Sequence, residues 1–96
     1  MNQVELRLLT VRLTARQEDL LRQQEASKKT LAALADEELR CAEGVARLPD
    51  STLCAEKLRD ASVALRSAVE REVQIEKDLA ENAYQRRNGG SVKVPN

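Results

Sequence analysis

The chain has 96 residues, which is enough for one domain and excludes a multidomain enzyme. Apolar residues make up 42% of it, but a single Tyr is its only aromatic residue, so a large core is excluded. Its 16 basic and 16 acidic side chains cancel, in each half as well as overall, so neither half has the basic surface that nucleic-acid binding requires.

A long helix is predicted over about residues 2–43, because this segment contains neither Pro nor Gly. Asn2 and Glu5 have the three-residue spacing of a capping box, in which each side chain accepts a hydrogen bond from the other residue's backbone N–H. The helix is therefore expected to begin at the very start of the chain.

A turn is predicted over residues 44–51. Gly44 is expected to close the first helix in the left-handed conformation, and Pro49 prevents helical continuation. A second helix is predicted over about residues 52–87, followed by a flexible tail over 88–96 that contains two Gly and a Pro. The candidates for the N-cap of the second helix are Asp50, Ser51 and Thr52.

The N-terminal segment concentrates large aliphatic side chains, and on a helix they occupy two faces. One face holds Val4, Leu8 and Val11, and the other holds Leu6, Leu9 and Leu13. In a hairpin this segment meets residues 82–91, which are mostly polar or Gly and can cover only one face. We therefore predict that these six residues form a partner-binding surface, with the first face left uncovered.

The same segment has a second interpretation, because residues 4–8 alternate apolar and charged side chains as a strand would. In that interpretation it would form an edge strand, and its unpaired backbone would also need a partner.

Both long segments carry the three-four apolar spacing of a coiled-coil seam. In the first segment, the positions at seven-residue steps are Leu6, Leu13, Leu20, Ser27, Leu34, Cys41 and Leu48. In the second, the seam positions are Leu58, Ala61, Leu65, Ala68, Glu72, Ile75, Leu79 and Asn82.

A short turn between two such helices makes them antiparallel neighbours. The sequence therefore predicts an all-α fold, a single antiparallel two-helix hairpin over residues 1–96. Two helices with an Ala-rich seam bury little apolar area, so we expect oligomerisation or a partner to complete a larger bundle.

Folding the chain about the turn sets Cys41 opposite Cys54. A disulfide between them is geometrically conceivable. We favour free thiols that act as small hydrophobic side chains, because thiols stay reduced in the cytosol.

Motifs for catalysis, metal binding or cofactors are missing from the sequence. The chain has no His, so it lacks the usual general base and ordinary zinc ligands, and no Gly-rich phosphate loop precedes a helix. Acidic clusters alternate with basic residues at helical spacing, which is typical of a solvated surface. Charged residues near the N-terminus and the lack of a long apolar run predict a cytoplasmic protein with no signal peptide, membrane span, cofactor or small-molecule substrate.

The outline of a long helix to Gly44, a bend at Pro49-Asp50-Ser51 and a second helix to Arg87 resembles the small helical-hairpin chaperones of bacterial type III secretion. The resemblance implies a chaperone that holds an aggregation-prone export subunit together with a second chaperone.

Two functions are consistent with the sequence. The favoured one is a non-enzymatic chaperone or adaptor that holds a helical protein partner. The alternative is a self-assembling structural coiled-coil subunit of a larger complex.

Overall fold

The structure, a computed structural model, describes residues 2–88 and contains two long α-helices. Helix α1 is Gln3–Arg47 and helix α2 is Thr52–Arg87. The chain is an all-α helical hairpin, as the paired seams predicted. The interpretation of residues 4–8 as an edge strand is wrong, because these residues lie within α1.

The start of α1 is capped as the sequence predicted. The backbone N–H of Glu5 donates to Oδ1 of Asn2 at 2.8 Å, and the backbone N–H of Asn2 donates to Oε1 of Glu5 at 3.1 Å. The capping box therefore provides acceptors for two N–H groups that have no intrahelical partner.

The end of α1 lies one turn later than expected. Gly44 does not close the helix, because its own carbonyl accepts a hydrogen bond from the N–H of Leu48 at 2.9 Å and the helix continues to Arg47. The effective stop is Pro49, which disfavours helical backbone at the residue before it. The prediction of an end near residue 43 gave too much weight to glycine and too little to proline.

The four residues from Leu48 to Ser51 form the reversal between the helices. The N–H of Ser51 donates to the carbonyl of Leu48 at 3.0 Å, which leaves Pro49 at the second turn position, where its fixed φ is favoured. Of the three cap candidates, Ser51 caps α2, because its Oγ accepts a hydrogen bond from the N–H of Cys54 at 3.2 Å.

Gly44 offers a direct test of this geometry. A Cβ at this position would lie 3.8 Å from Sγ of Cys54, which is ordinary van der Waals contact. Since Gly in a helix interior costs conformational entropy, Gly44→Ala should raise the free energy of unfolding by about 0.5–1 kcal/mol. Urea denaturation followed by circular dichroism measures the change, and a loss of stability would contradict the helical assignment of Gly44.

The hairpin divides into two compact units. The first unit contains residues 2–25 and 74–88 of the described chain. Leu20 is its best buried side chain, at 1% exposure, and Ile75 is also buried. Asn82 lies in the same buried seam and donates hydrogen bonds from Nδ2 to the backbone carbonyl of Leu13 and to Oε1 of Gln17, both at 3.0 Å.

The second unit contains residues 26–73 and has a core of small side chains. Ser27, Ala61 and Ala68 are buried here. Ser62 of α2 donates a hydrogen bond from Oγ to Oε2 of Glu38 on α1 at 2.6 Å. Small residues at the seam allow two helices to approach closely, but they contribute little apolar area each.

Most of the predicted seam residues have limited exposure to solvent. The following eight are buried or half-buried: Leu20, Leu34, Cys41, Cys54, Leu58, Leu65, Ile75 and Leu79. Leu48 differs from its expected seam position, since it lies past the end of α1 and is exposed.

The C-terminal end of α2 falls at Arg87, as predicted. The side chain of Asn88 donates from Nδ2 to the carbonyl of Tyr84 at 2.8 Å, which supplies a partner for a carbonyl in the last turn of the helix. The tail predicted over 88–96 lies, from Gly89 onward, outside the described residues.

Candidate functional site

The first candidate surface is the outer face of the N-terminal segment, defined as Val4, Leu8 and Val11. These side chains are 65%, 51% and 65% exposed. They lie at four-residue and three-residue spacing on α1, so they share one side of the helix. The structure thus places three large aliphatic side chains together in solvent.

The opposite face of this segment is less exposed to solvent. Leu9 and Leu13 are half-buried, whereas Leu6 is 38% exposed. The residues expected opposite Leu6 begin at about Gly89, outside the part of the chain that the structure describes.

The exposure of the outer face has a simple physical cause. Each helix of a hairpin meets the other along one stripe, and Leu9 and Leu13 already occupy that stripe. The nearest apolar residues of α2 in this unit offer little more, because Ala83 is small and Tyr84 is itself 53% exposed. Among residues 2–88, the outer face is therefore left largely in solvent.

Charged side chains flank the outer face. Arg7 and Arg12 are exposed, and neither forms an ion pair among residues 2–88. Glu5, the acidic residue of this turn, already accepts a hydrogen bond in the capping box. The rim of the outer face is therefore more basic than the balanced charge of the whole chain indicates.

A second candidate is a cleft beside the turn, here named the bend cleft, with a volume of about 260 Å³. Its lining residues are Glu37, Arg40, Cys41, Gly44, Cys54 and Lys57. Both cysteines are free thiols and both are half-buried. A neighbouring cleft of about 390 Å³ continues along the same side, lined in part by Leu34, Cys41 and Ala61. The predicted juxtaposition of Cys41 with Cys54 thus corresponds to one shared cleft.

Electrostatics in the bend cleft are set mainly by Glu37. A hydrogen bond from Arg40, together with the charge of that guanidinium, lowers the pKa of the Glu37 carboxyl below its usual range. The thiol of Cys41 donates a hydrogen bond to Oε2 of Glu37 at 3.7 Å. Burial raises the pKa of Cys41, and the negative charge of Glu37 and this hydrogen bond raise it further. Cys41 is therefore held as a neutral thiol.

The sequence pattern did not identify Glu37, Gly44 and Lys57 as neighbours of the two thiols. A signal was present, because each lies three or four residues from a cysteine and therefore on the same side of its helix. Charge alternation had placed Glu37 on a solvated surface, which describes its exposure but not its contact with Cys41.

The cysteines also support a stability prediction. Since both are half-buried and the seam uses Ala at similar positions, the double variant Cys41→Ala with Cys54→Ala should lose less than about 1.5 kcal/mol of stability in reducing buffer. Thermal unfolding followed by circular dichroism measures this. A larger loss would mean that the thiols pack more tightly than their exposure indicates.

Within residues 2–88, no group of three or more His, Cys, Asp or Glu side chains could hold a metal ion. Neither of the two described helices has an apolar stretch that would carry it across a membrane.

Comparisons of the chain with protein-family models, with curated proteins and with solved structures find no match.

Proposed function

We propose that this protein is a non-enzymatic interaction module, a small chaperone or adaptor that holds a helical segment of another protein. The observation that carries the proposal is the outer face, where Val4, Leu8 and Val11 are all at least half exposed. Adjacent aliphatic side chains in water are costly to leave uncovered, and such patches are typical of interaction sites.

The chemistry of the proposed partner follows from this face and its rim. An amphipathic helix that presents apolar anchors at positions i, i+3, i+4 and i+7 matches a surface built at the same spacing. Arg7 and Arg12 flank the face without ion-pair partners among residues 2–88. We therefore propose a partner helix with an acidic rim, whose carboxylates would pair with these two arginines.

The proposed cellular location and protein class rest on more general arguments. We place the protein in the cytoplasm, where its two thiols stay reduced. The resemblance of its outline to small type III secretion chaperones favours a chaperone, and holding an export subunit would be one instance of the proposed function.

The test replaces the outer face and leaves the rest of the hairpin unchanged. The double variant Leu8→Glu with Val11→Lys should stay helical, because both side chains are already solvated. Its affinity for a synthetic amphipathic helix with Leu anchors and Glu flanks should fall by roughly tenfold or more. Fluorescence anisotropy of the labelled peptide measures affinity, and circular dichroism measures helicity on the same samples.

A matched control uses two equally exposed aliphatic residues of the second unit, Leu39→Glu with Val63→Lys. This variant should bind the peptide as the unchanged protein does, and a peptide of scrambled sequence should bind neither. The proposal is wrong if the control loses binding and the outer-face variant keeps it. A collapse of helicity in the outer-face variant would identify Leu8 and Val11 as core residues instead.

The alternative function, a self-assembling structural subunit, has its own support. In the second unit, α1 presents a continuous exposed apolar stripe at three-four spacing. Its members are Ala32, Ala35, Leu39, Ala42 and Ala46. Sedimentation equilibrium separates the two functions, because a stable homo-oligomer that Leu39→Glu dissociates would favour self-assembly over the capture of a different protein.

A further inference from the structure

The bend cleft joins two half-buried thiols from different helices at one solvent-accessible site. We propose that Cys41 and Cys54 form a redox-active dithiol, which a small-molecule disulfide oxidises to an intramolecular disulfide across the turn. This inference goes beyond the proposed binding function and does not depend on the outer face.

The packing of α1 against α2 supports the pairing. Sγ of Cys54 lies 3.8 Å from the ideal Cβ position of Gly44, so this thiol is close to α1. Gly44 is three residues after Cys41, which places both on the same side of α1. A Cys54 thiol close to Gly44 is therefore within one helical turn of Cys41 along α1.

The proposed reaction is two successive thiol–disulfide exchanges. The thiolate of one cysteine attacks a sulfur of the oxidant, forms a mixed disulfide and releases one thiolate. The second cysteine then attacks the protein sulfur of that mixed disulfide and releases the second thiolate, which takes up a proton. In balance, the protein loses two electrons and two protons, and the oxidant becomes two thiols.

The surroundings of Cys41 affect how fast its thiol reacts. Cys41 donates a hydrogen bond to Oε2 of Glu37, and burial and that carboxylate raise its pKa, so its thiolate is scarce at neutral pH. The other charged groups facing it are Arg40 on α1 and Lys57 on α2, and both lower its pKa. Since the thiolate is the nucleophile, these surroundings slow the reaction of Cys41 with the oxidant.

The experiment incubates the full chain with oxidised glutathione at neutral pH and follows its mass. The expected product is a monomer lighter by two hydrogen atoms, in which neither cysteine reacts with iodoacetamide. Its melting temperature should rise by roughly 10 °C or more, because the new bond closes a short loop in the unfolded chain. Dithiothreitol should reverse both changes.

Single-cysteine variants test the mixed-disulfide step. Cys41→Ala should accumulate the glutathione adduct on Cys54, and Cys54→Ala should accumulate the corresponding adduct on Cys41. Because the two half-buried thiols could differ in access alone, two charge variants separate reactivity from access. Glu37→Gln should speed alkylation of Cys41 in the Cys54→Ala background, whereas Lys57→Gln should slow it.

Three outcomes would contradict the proposal. A stable glutathione adduct on the unchanged chain, or disulfide-linked dimers in place of the lighter monomer, would overturn the proposal. So would two thiols that both remain open to alkylation after exposure to the oxidant. Formation of the bridge in the variant Leu8→Glu with Val11→Lys would show that it is independent of the outer face, whatever that variant does to binding.

Discussion

Leu20→Ala is expected to destabilise the protein by about 2–5 kcal/mol, because Leu20 is 1% exposed and the substitution leaves a cavity in the first unit. Ile75 is the only other large aliphatic side chain buried in this unit among residues 2–88, so few large groups can move in to fill the space. Free energies of unfolding of small domains are themselves only about 5–15 kcal/mol, so the loss should leave much of the chain unfolded near body temperature.

The neighbouring residue provides the matched control. Leu21 is on the same helix and is 46% exposed, so Leu21→Ala removes the same atoms without opening a buried cavity. Urea denaturation monitored by circular dichroism should place the two midpoints well apart, with Leu21→Ala within about 0.5 kcal/mol of the unchanged protein. Equal losses at both positions would mean that Leu21 is also covered, as it would be inside an oligomer.

The helix ends were predicted correctly where hydrogen bonds between neighbouring residues determine them. The capping box of Asn2 with Glu5, the cap at Ser51 and the end of α2 at Arg87 all follow from hydrogen bonds made within a few residues. At Gly44 two local rules compete, since glycine favours closing a helix and proline five residues later permits one more turn. In the structure the helix continues through Gly44 and ends at Arg47, two residues before Pro49.

The helical hairpin was predictable because two segments with helical periodicity are joined by a short turn. The bend cleft was not, since its properties depend on side chains beside the seam. The hydrogen bond from Cys41 to Glu37 and the shared lining by Lys57 follow from rotamers and from the close approach of the helices. The alternation of charges in the sequence indicates only that such residues lie on a solvated surface.

Buried polar groups in the seam have a different role from its aliphatic residues. Asn82 is 5% exposed, and its Nδ2 donates to the carbonyl of Leu13 and to Oε1 of Gln17. A one-turn slip of α2 along α1 would break both hydrogen bonds and leave a buried amide without partners. A polar residue at one seam position is known to fix register at a cost in stability. We therefore expect Asn82 to specify the alignment of the helices in the first unit.

Asn82→Ala should accordingly lower the free energy of unfolding by about 1–3 kcal/mol, because Gln17 loses its donor and the seam loses volume. Asn82→Leu should cost less or even stabilise, since it replaces the amide with an apolar side chain. For Asn82→Leu, the informative measurement is the alignment of α1 with α2 and not the free energy of unfolding. Spin labels at exposed positions 12 and 81 should give a narrow distance distribution in the unchanged protein and a broader one in this variant.

Asn88 supplies the control, because its side-chain amide donates to the carbonyl of Tyr84, four residues before it, and to no residue of α1 among residues 2–88. Asn88→Ala should change stability by less than about 1 kcal/mol and leave the label distances unchanged. A narrow distribution in Asn82→Leu would show that the aliphatic residues alone hold the register, with Leu20 and Ile75 as the determinants. A broad distribution at unchanged or higher stability would instead separate the two contributions, with apolar burial holding the helices together and the amide of Asn82 selecting how they align.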